Sequence, residues 1–563
     1  MRKKHINIGK QRNCIKKVLL IAVFLSLPSL FFISCSDEWN NHYEVSQNNG
    51  ETLWKAISSQ PELSNFARVI KACGYDAVLN GSQTFSVFAP TNDHLSSAEA
   101  DGLIEAYQEQ HAAGVKNNEN TTVRQFLQNH IALYKSPVST LTNDSITMMN
   151  GKFELLTPST IGNSRFISSN SLFSNGVLFT IDSQIKYFPN VFEYLGIDNE
   201  TDSVYQFLNS FSRYQINETK SVPGEIVDGQ TVYLDSVMDF SNILFSSLGE
   251  LNAEDSTYWM VAPTNNEWNR MVEEYEPYFF YDALVEQRDS MQHTNSRLAI
   301  LKGTVFSRTQ NPDEAFQDSA VSTSATSAYV RRILDEEPYY VYYKPFAAGG
   351  IFDGTESIPC SNGQVRKAPS FGINKYESFL QTIKVEAENV RYQDSILHAI
   401  DPLAIREVTT DNPFYNKISG NTFVEVIPEN ASSNPEVYFS IPNVLSNVSY
   451  DIYAVIAPSL AYDTLAIEEA SRPVIFRTWM RYNDKNGKEY LRRQNTNLTN
   501  NPAVVDTVLI TENYQFPTCS YGLQKPQLSI QFFVRVSPNQ TSTHSRTLRL
   551  DCIILKPHEE KDQ

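Results

Sequence analysis

The fold is decided by a stretch that occurs twice, as Thr84-Phe85-Ser86-Val87-Phe88-Ala89-Pro90-Thr91-Asn92-Asp93 and as Thr257-Tyr258-Trp259-Met260-Val261-Ala262-Pro263-Thr264-Asn265-Asn266. Both copies place an apolar, strand-like run before Ala-Pro-Thr-Asn. Proline ends the pairing of a strand because it has no N–H to donate. The Thr and Asn side chains that follow can cap a helix. The sequence therefore predicts two buried strands, each ending at the proline and followed by a capped helix.

A second motif, an Asn-Gly pair, also occurs twice and in the same order. It is Ser174-Asn175-Gly176-Val177 in the first copy and Ser361-Asn362-Gly363-Gln364 in the second. Asn-Gly is a turn signal that tolerates positive φ, and in the first copy it leads into an apolar strand at 177–181. Two motifs in the same order and at similar separation indicate a duplicated domain.

The first copy resembles the fasciclin family. The strand that ends in Phe88-Ala89-Pro90-Thr91-Asn92 matches the first signature of that family, and Asn175-Gly176 with the strand ending at Asp182 matches the last. The resemblance covers about residues 46–197. It implies a compact α+β domain with a β-sandwich-like core and packed helices.

Two further parts of the first copy fit the same family. Its two leading helices correspond to residues 52–79, which carry apolar residues at helical spacing: Leu53, Ile57, Phe66 and Ile70. Its central helix and strand, which carry a conspicuous histidine, correspond to residues 126–131 with His130. In animal members a Tyr often precedes this histidine and is linked to receptor binding. Asn129 stands there in this chain, so that activity is not carried over, and the apolar flanks predict a hydrogen-bonded structural histidine.

The second copy, about residues 198–378, departs more from the family. Val261 replaces the Phe of the first signature, residues 298–303 lack the histidine, and inserts such as the aromatic run 339–343 enlarge the domain. The same fold is expected, whereas a shared binding role is not. The matching motif residues of this copy are Pro263, Thr264, Asn265, Asn362 and Gly363.

The N-terminus has the pattern of an export signal. A lysine- and arginine-rich start is followed by the uncharged apolar run 18–33, which is short for a bilayer span and typical of a signal peptide. The run ends at Ser34-Cys35, which resembles a bacterial lipobox. We predict a signal peptide at 1–34, lipid attachment at Cys35, and an acidic tether at 35–45, of which Ser36-Asp37-Glu38 resembles an outer-surface export signal. An ordinary signal peptide with a coincidental cysteine, or an uncleaved anchor, is the alternative.

The region 379–563 has the pattern of an all-β domain. Short apolar or alternating runs recur between Asn, Pro and Gly, which favours a sandwich or jelly roll. Its first and last strands, 383–388 and 550–557, resemble those of galactose-binding jelly rolls, a fold shared by many carbohydrate-binding modules. Four neighbours in sequence could bind a sugar: Trp479, Tyr482, Tyr490 and Arg492. The alternative places Trp479 in the core and the tyrosines in ordinary strand positions.

Composition excludes several other classes of protein. The net charge of -18 disfavours nucleic acid, which needs clustered cations. No zinc spacing, P-loop, GxGxxG, G-x-S-x-G or H-E-x-x-H motif occurs, so we expect no metal, no cofactor and no catalytic residues. Cys519 and Cys552 could form a disulfide in an oxidising compartment, or the four cysteines other than Cys14 and Cys35 could all be buried free thiols.

The fold class expected is therefore multidomain, with two α+β fasciclin-like domains followed by an all-β sandwich or jelly-roll domain. The fasciclin resemblance implies a non-catalytic role in adhesion or in contact with matrix and glycans. We predict an outer-membrane lipoprotein, facing the cell exterior, that binds a glycan or a partner protein, with an outer-membrane glycan transporter as the expected partner. The alternatives are an adhesin for cell or matrix attachment and, third, a glycan-cleaving enzyme.

Overall fold

The computed structural model describes residues 50–219, 221–227, 230–235, 238–326 and 338–558. The predicted signal peptide, Cys35 and the acidic tether lie outside these ranges. The described residues divide into two compact units, one of residues 50–150 with 154–185 and the other of residues 151–153 with the described residues from 186 to 558. None of the helices in the described ranges combines the length and the apolarity that a membrane span requires.

The first unit combines short helices with one seven-stranded sheet, whose strand order is β2-β1-β7-β6-β5-β4-β3. Its α-helices are α1 Leu53–Ser59, α2 Ser64–Ala72, α3 Tyr75–Asn80 and α4 Ser97–Ala112. A π-helical turn, Thr122–Leu127, and two 3₁₀ turns, Pro61–Leu63 and Gln128–His130, complete the helical part. The strands are β1 Phe85–Pro90, β2 Ile131–Leu133, β3 Asp144–Thr147, β4 Phe153–Leu156, β5 Thr160–Ile161, β6 Ser164–Phe173 and β7 Gly176–Ile181.

The core of the first unit forms around strands β1 and β7. Both strands are buried along their whole length, as the apolar runs predicted. They pair in parallel, with Phe85 opposite Gly176 and Pro90 opposite Ile181, while β2 pairs antiparallel on the other side of β1. The predicted helical positions are also fully buried: Leu53, Ile57, Phe66 and Ile70. Burial on both faces explains why these strands are apolar runs instead of alternating patterns.

The second unit begins with more helices and a smaller central sheet, ordered β13-β12-β17-β16. Its α-helices are α5 Val191–Ile197, α6 Asp202–Asn209, α7 Phe245–Leu248, α8 Asn265–Tyr275, α9 Arg288–Leu301 and α10 Asp313–Phe316, with 3₁₀ turns at Glu276–Phe279 and Lys375–Glu377. Its strands to this point are β8 Ser212–Ile216, β9 Val222–Val227, β10 Gln230–Asp235, β11 Met238–Asn242, β12 Tyr258–Pro263, β13 Val305–Ser307, β14 Ser319–Thr326, β15 Tyr339–Tyr343, β16 Glu356–Cys360 and β17 Gly363–Ala368.

Strand β12 reproduces the pairing of β1 residue for residue. It lies parallel to β17, with Tyr258 opposite Gly363 and Pro263 opposite Ala368. It also pairs antiparallel with β13, where Met260 faces Val305, just as Val87 of β1 faces Ile131. The two copies of the sequence motif therefore build the same three-stranded arrangement, in which the central strand has one parallel and one antiparallel neighbour.

The boundary between the copies lies earlier than the sequence indicated. The backbone N–H of Val191, at the start of α5, donates to Asn362 Oδ1 at 2.8 Å. In the first unit the backbone N–H of Leu53, at the start of α1, donates to Asn175 Oδ1 at the same distance of 2.8 Å. Helix α5 is thus the counterpart of α1 and belongs to the second unit. The boundary predicted at residue 197 is corrected to the change of unit at 185–186.

The remainder of the second unit is almost entirely β-structure, in two six-stranded antiparallel sheets. One is ordered β20-β21-β29-β23-β27 with β18 also on β29, and the other β19-β22-β28-β24-β25 with β26 also on β24. The strands are β18 Ile383–Glu386, β19 Gln393–Leu397, β20 Ala404–Glu407, β21 Thr422–Val426, β22 Glu436–Ser440, β23 Ser449–Ile456, β24 Ile475–Asn483, β25 Glu489–Arg493, β26 Leu498–Thr499, β27 Asp506–Gln515, β28 Ser529–Val534 and β29 Leu548–Pro557. Short 3₁₀ turns occur at Ser419–Asn421, Ser459–Ala461, Glu469–Ser471 and Pro538–Gln540. The β-rich character predicted for this region is present, and the jelly-roll topology stays a prediction.

The second unit is held together by one core shared between its parts. Phe532 from one sheet and Ile452 from the other lie in the same buried cluster as Trp268 of the second copy. Hydrogen bonds reinforce this core, since Tyr281 Oη donates to the carbonyl of Tyr521 at 2.8 Å. The second copy and the C-terminal sheets therefore form one compact unit.

The glycine that follows the repeated asparagine in each copy provides a test of this three-stranded arrangement. A methyl group on Gly176 would overlap the carbonyl oxygen of Phe85, and one on Gly363 would overlap that of Tyr258. We expect Gly176→Ala and Gly363→Ala each to destabilise the protein by more than about 3 kcal/mol, measured by urea unfolding. The control is Gly102→Ala in α4, where the added methyl has no neighbour within 4 Å and is expected to stabilise by up to about 1 kcal/mol. Equal unfolding midpoints for Gly176→Ala and Gly102→Ala would contradict the close approach.

Candidate functional site

The Asn-Gly motif residues serve the fold in the first copy. Asn175 is buried, and its amide Nδ2 donates to the carbonyls of Leu79 and Gly81 at 2.8 and 2.9 Å. Its Oδ1 accepts from the backbone N–H of Leu53, so one side chain joins β7 to α1 and to the loop before β1. Gly176 follows because no larger residue fits against β1.

The second copy repeats this arrangement. Asn362 Nδ2 donates to the carbonyls of Leu251 and Ala253, both at 2.9 Å, and its Oδ1 accepts from Val191. Asn362 is 2% exposed and Asn175 is 3% exposed. Neither amide is therefore available to a ligand.

The asparagines of the Ala-Pro-Thr-Asn motif cap helices, although not the helices that follow them. Asn92 Oδ1 accepts from the backbone N–H of Asn65 in the first turn of α2, and Asn265 Oδ1 accepts from Ser203 in the first turn of α6, both at 3.0 Å. Thr264 stands before α8 but makes no side-chain hydrogen bond to it. The predicted capping of the following helix is wrong, because these asparagines reach back to an earlier helix.

The other residues of the first signature also lie in the interior. Phe88 is fully buried, and its ring stacks on Phe179 with 4.9 Å between ring centres. Ala89 is fully buried, and Pro90 ends the buried strand β1. Thr91 is 9% exposed and its hydroxyl lies 3.0 Å from His94 Nδ1. The fasciclin motif thus provides packing and backbone hydrogen bonds instead of a ligand site.

His130 is fully buried, and both of its ring nitrogens are hydrogen bonded. The backbone N–H of Ile185 donates to Nε2 at 3.0 Å, which leaves Nδ1 as the protonated nitrogen that donates to the carbonyl of Phe126 at 2.8 Å. Burial lowers the pKa of His130 to about 4, so the ring is neutral at physiological pH. In the second copy Thr304 holds this position, and its hydroxyl donates to the carbonyl of Leu301.

The four residues predicted to bind a sugar do not form one site. Strands β24 and β25 pair with Trp479 opposite Arg493 and Tyr482 opposite Tyr490. Because side chains alternate along a strand, Trp479 points to one face of the sheet, and Tyr482, Tyr490 and Arg492 point to the other. The structure therefore separates Trp479 from the other three.

Tyr482, Tyr490 and Arg492 meet at the edge of the sheet. The rings of Tyr482 and Tyr490 are stacked with 6.0 Å between centres, and the Arg492 guanidinium lies 5.0 Å from the centre of the Tyr490 ring. Tyr514 of β27 completes the group beside Tyr482. We call Tyr482, Tyr490, Tyr514, Lys488 and Arg492 the tyrosine edge.

Trp479 lies on the face of the sheet that points away from the shared core. Tyr438, Gln531, Trp479 and Arg493 stand in one row across strands β22, β28, β24 and β25. Phe533 lies beside this row, with its ring centre 6.0 Å from that of Trp479. Tyr438, Trp479 and Phe533 are half-buried and belong to none of the buried apolar clusters found in the described part of the chain. We call this surface the outer face.

Polar groups on the outer face are held in position by one another. Glu436 accepts hydrogen bonds from Gln531 Nε2 and, at 3.1 Å, from the Tyr438 hydroxyl. Burial, with the nearby Glu436 carboxylate, raises the pKa of Tyr438 to about 12, so the hydroxyl keeps its proton. Arg481 pairs with Asp394 and lies 5.0 Å from the centre of the Tyr438 ring. Together these groups offer fixed donors and acceptors beside aromatic rings.

Sequence reasoning missed most of the outer face. Tyr438, Gln531 and Phe533 come from strands that are far apart in the chain, and only the order of strands in the sheet makes them neighbours of Trp479. The available signal was the alternation of apolar and polar residues along a strand, since the polar Gln531 stands between the apolar core residues Ile530 and Phe532.

One group of side chains could hold a metal ion, although the sequence predicted none. Ligand atoms of Glu386, Asp551 and Cys552 all lie within 4.8 Å of one another. Asp551 is fully buried, and both of its oxygens accept from the backbone N–H of Ser419. Burial raises the pKa of Asp551 and of the Cys552 thiol. The two carboxylates are suited to a hard cation, whereas the protonated thiol is not.

The cysteines of the described residues are free thiols. Cys73, Cys519 and Cys552 are buried and Cys360 is half-buried, and all four are unpaired. The disulfide considered between Cys519 and Cys552 is therefore absent, and the alternative of free thiols is correct for these four residues.

Comparison with known proteins identifies part of the chain. Residues 61–186 match the family model described as the fasciclin domain. This part of the chain is a fasciclin domain. The match confirms the resemblance of the first copy, and it ends before the second copy begins. A search of curated proteins found no match.

Solved structures give weak similarities only. A pair of FAS1 domains from the insect cell adhesion molecule fasciclin I is 12% identical, covering 56% of this chain and 98% of its own, with a TM-score of 0.18. The CBM22-1 xylan-binding domain of Paenibacillus barcinonensis Xyn10C is 14% identical, covering 32% and 96%, with a TM-score of 0.19. A Paenibacillus xanthan lyase is 15% identical, covering 35% and 16%, with a TM-score of 0.19. TM-scores this low carry no argument about function.

The buried His130 provides a test of stability against pH. Above about pH 6.5 the ring is neutral in both folded and unfolded chains, so no stability is lost there. Between about pH 6.5 and the folded pKa of about 4 only the unfolded chain takes up the proton, which destabilises the fold by up to about 3 kcal/mol. We expect His130→Gln to lack this component in urea unfolding measured from pH 7 to 4, and exposed His111→Gln to retain it. The same pH dependence in both variants would show that His130 is not the source.

Proposed function

We propose that this chain is a non-catalytic glycan-binding protein of the cell surface, anchored by a lipid on Cys35 and serving an outer-membrane glycan-uptake system. The observation that carries the proposal is the outer face, where half-buried aromatic rings and fixed polar groups share the side of a sheet that points away from the core. The motif residues of the fasciclin domain are buried except for the half-buried Asn92, which caps a helix, so they do not compete for this role.

The spacing of the aromatic rings suits an extended glycan. Tyr438 and Trp479 stand two strands apart with Gln531 between them, which separates their backbones by about 10 Å. This separation allows two sugar rings of one chain to rest on aromatic faces. The chain would cross the strands at a right angle, and Phe533 would extend the platform to one side.

The polar groups of the outer face suit sugar hydroxyls. Glu436 and Arg481 are each fixed by neighbours before any ligand arrives, so little conformational entropy is lost when a sugar binds. Arg481 Nε donates to Ser529 Oγ at 2.9 Å, and its charge is balanced by Asp394. A balanced pair of this kind can donate to and accept from hydroxyl groups without demanding a charged ligand.

Adhesion to a cell or matrix is the second candidate, and it is favoured by the fasciclin domain at 61–186. Glycan cleavage is a third possibility from the sequence, and no feature of the described residues favours it. A glycan array with the purified full chain distinguishes the first two, because an adhesin that recognises protein would bind no glycan. Assays for new reducing ends on every bound glycan test the third.

Replacement of the tryptophan tests the outer face. We expect Trp479→Ala to weaken binding to the array-positive glycan by at least about tenfold, because the central stacking surface is lost. Isothermal titration calorimetry measures the effect. The control is Tyr462→Ala, which removes a 50% exposed aromatic ring elsewhere in the unit and should leave affinity unchanged. Equal affinity of both variants and the parent chain would refute the outer face as the binding surface.

The membrane and transporter parts of the proposal need a separate test. We expect mass spectrometry of the protein from its native membrane to find acyl chains on Cys35 at the mature N-terminus, and Cys35→Ser to abolish them. A pull-down with the lipidated protein should recover an outer-membrane transporter, while Cys35→Ser controls for membrane carry-over. An unacylated mature start would refute the anchor, and recovery of no transporter would refute the accessory role.

A further inference from the structure

The tyrosine edge lies on the side of the sheet opposite to the outer face. Strand β25 ends one six-stranded sheet and β27 ends the other, so their side chains meet where the space between the sheets opens. Tyr482, Tyr490 and Tyr514 are all half-buried there. Behind them Phe516 is fully buried, with its ring centre 4.8 Å from that of Tyr514 and 6.4 Å from that of Tyr482. The tyrosines therefore form the half-buried outer part of an aromatic cluster, and Phe516 joins this cluster to the core.

Two cations flank the outermost ring. Lys488 Nζ lies 5.2 Å and the Arg492 guanidinium 5.0 Å from the centre of the Tyr490 ring. Tyr490 and Arg492 share one face of the edge strand, and Lys488 comes directly before that strand, so the two cations flank the ring from both directions along the chain. Both side chains are exposed, and neither has a carboxylate partner among the described residues.

The Tyr514 hydroxyl does not cancel this positive charge. Burial, together with the neighbouring Tyr482, raises the pKa of Tyr514, so its hydroxyl is neutral at any physiological pH. The edge thus presents two cations beside stacked aromatic rings. In a chain whose net charge is -18, such a local excess of positive charge attracts an anion that the rest of the surface repels.

We propose that the tyrosine edge is a second binding site, specific for a saccharide that carries an anionic group, a carboxylate or a sulfate ester. The sugar packs against the aromatic rim of the tyrosine edge, and the anionic group accepts charge-assisted hydrogen bonds from Lys488 and Arg492. The inference rests on the proposed glycan-binding function, but it uses residues on the other side of the sheet from Trp479.

The two surfaces differ in the charge that they can recognise. On the outer face Arg481 is balanced by Asp394, whereas on the tyrosine edge Lys488 and Arg492 are unbalanced. Neutral glycans are therefore expected to depend on the outer face. Anionic glycans should depend on the edge, and their affinity should fall as salt increases.

The test compares matched oligosaccharides on the full chain. The probes are oligogalacturonate, a sulfated galactan oligosaccharide and a neutral galactan oligosaccharide, with binding measured by isothermal titration calorimetry at low and high salt. We expect the double variant Lys488→Gln/Arg492→Gln to lose at least tenfold in affinity for one or both anionic probes and to bind the neutral probe unchanged. Trp479→Ala should show the reverse pattern. The carboxylate and sulfate probes distinguish the two possible anionic groups.

The control variant is Lys485→Gln/Lys525→Gln, which removes the same charge from two exposed lysines outside the tyrosine edge. Equal losses in this control and in Lys488→Gln/Arg492→Gln would overturn the site, because net charge alone would then explain the effect. Anionic probes that bind the parent chain no better than neutral ones would also overturn it, as would binding of a polyglutamate peptide with the same dependence on Lys488 and Arg492. Loss of all binding in Trp479→Ala, with Lys488→Gln/Arg492→Gln unaffected, would leave the proposed function standing and remove only the edge.

Discussion

In each copy of the repeated domain, one buried asparagine amide joins the leading helix, a loop and a central strand through hydrogen bonds. Asn175 and Asn362 each accept from the first turn of a leading helix and donate to two backbone carbonyls, so one side chain fixes a helix, a loop and a strand together. The next residue must then be glycine, because its backbone lies against the carbonyl of the neighbouring parallel strand. The parallel pairing of β1 with β7, and of β12 with β17, depends on this contact. Loss of the amide would leave several buried backbone groups without partners.

The second copy shows which motif residues this constraint requires. It keeps the Asn-Gly pair and the proline at the end of the strand, but Val261 replaces Phe88 and Thr304 replaces His130. Both replacements are fully or almost fully buried. The fold therefore tolerates changes in the side chains that pack around the three-stranded arrangement, provided that the parallel pairing of the strands is kept. The side chains of Asn175, Asn362, Val261 and Thr304 are all buried, so none of them is open to a ligand.

The sequence allowed prediction of features that depend on local pattern, but not of those that depend on the order of strands. Leu53 and Phe66 were identified as core positions from helical spacing, and the β-rich C-terminal region from its short apolar runs. The capping partner of Asn92 was missed because Asn65 lies in a helix that precedes it in the chain. Trp479 was grouped with Tyr482 because proximity in sequence does not say which face of a strand each side chain occupies. Tyr438 and Gln531 join Trp479 only through pairing across three strands.

Side chains alternate between the two faces of a strand, and this alternation gives the hairpin of β24 and β25 a different set of polar groups on each face. Along β24, Trp479 and Arg481 face away from the core, while Tyr482 lies on the other side against the core and the tyrosine edge. The outward side has neighbours on β19 and β22 whose carboxylates hold the arginine and the tyrosine hydroxyl in place. The other side meets β27 of the second sheet, which supplies Tyr514, and neither Lys488 nor Arg492 has a carboxylate partner among the described residues. The position of each side chain relative to the sheet edge, more than its identity, therefore sets whether a surface is electrically balanced or positive.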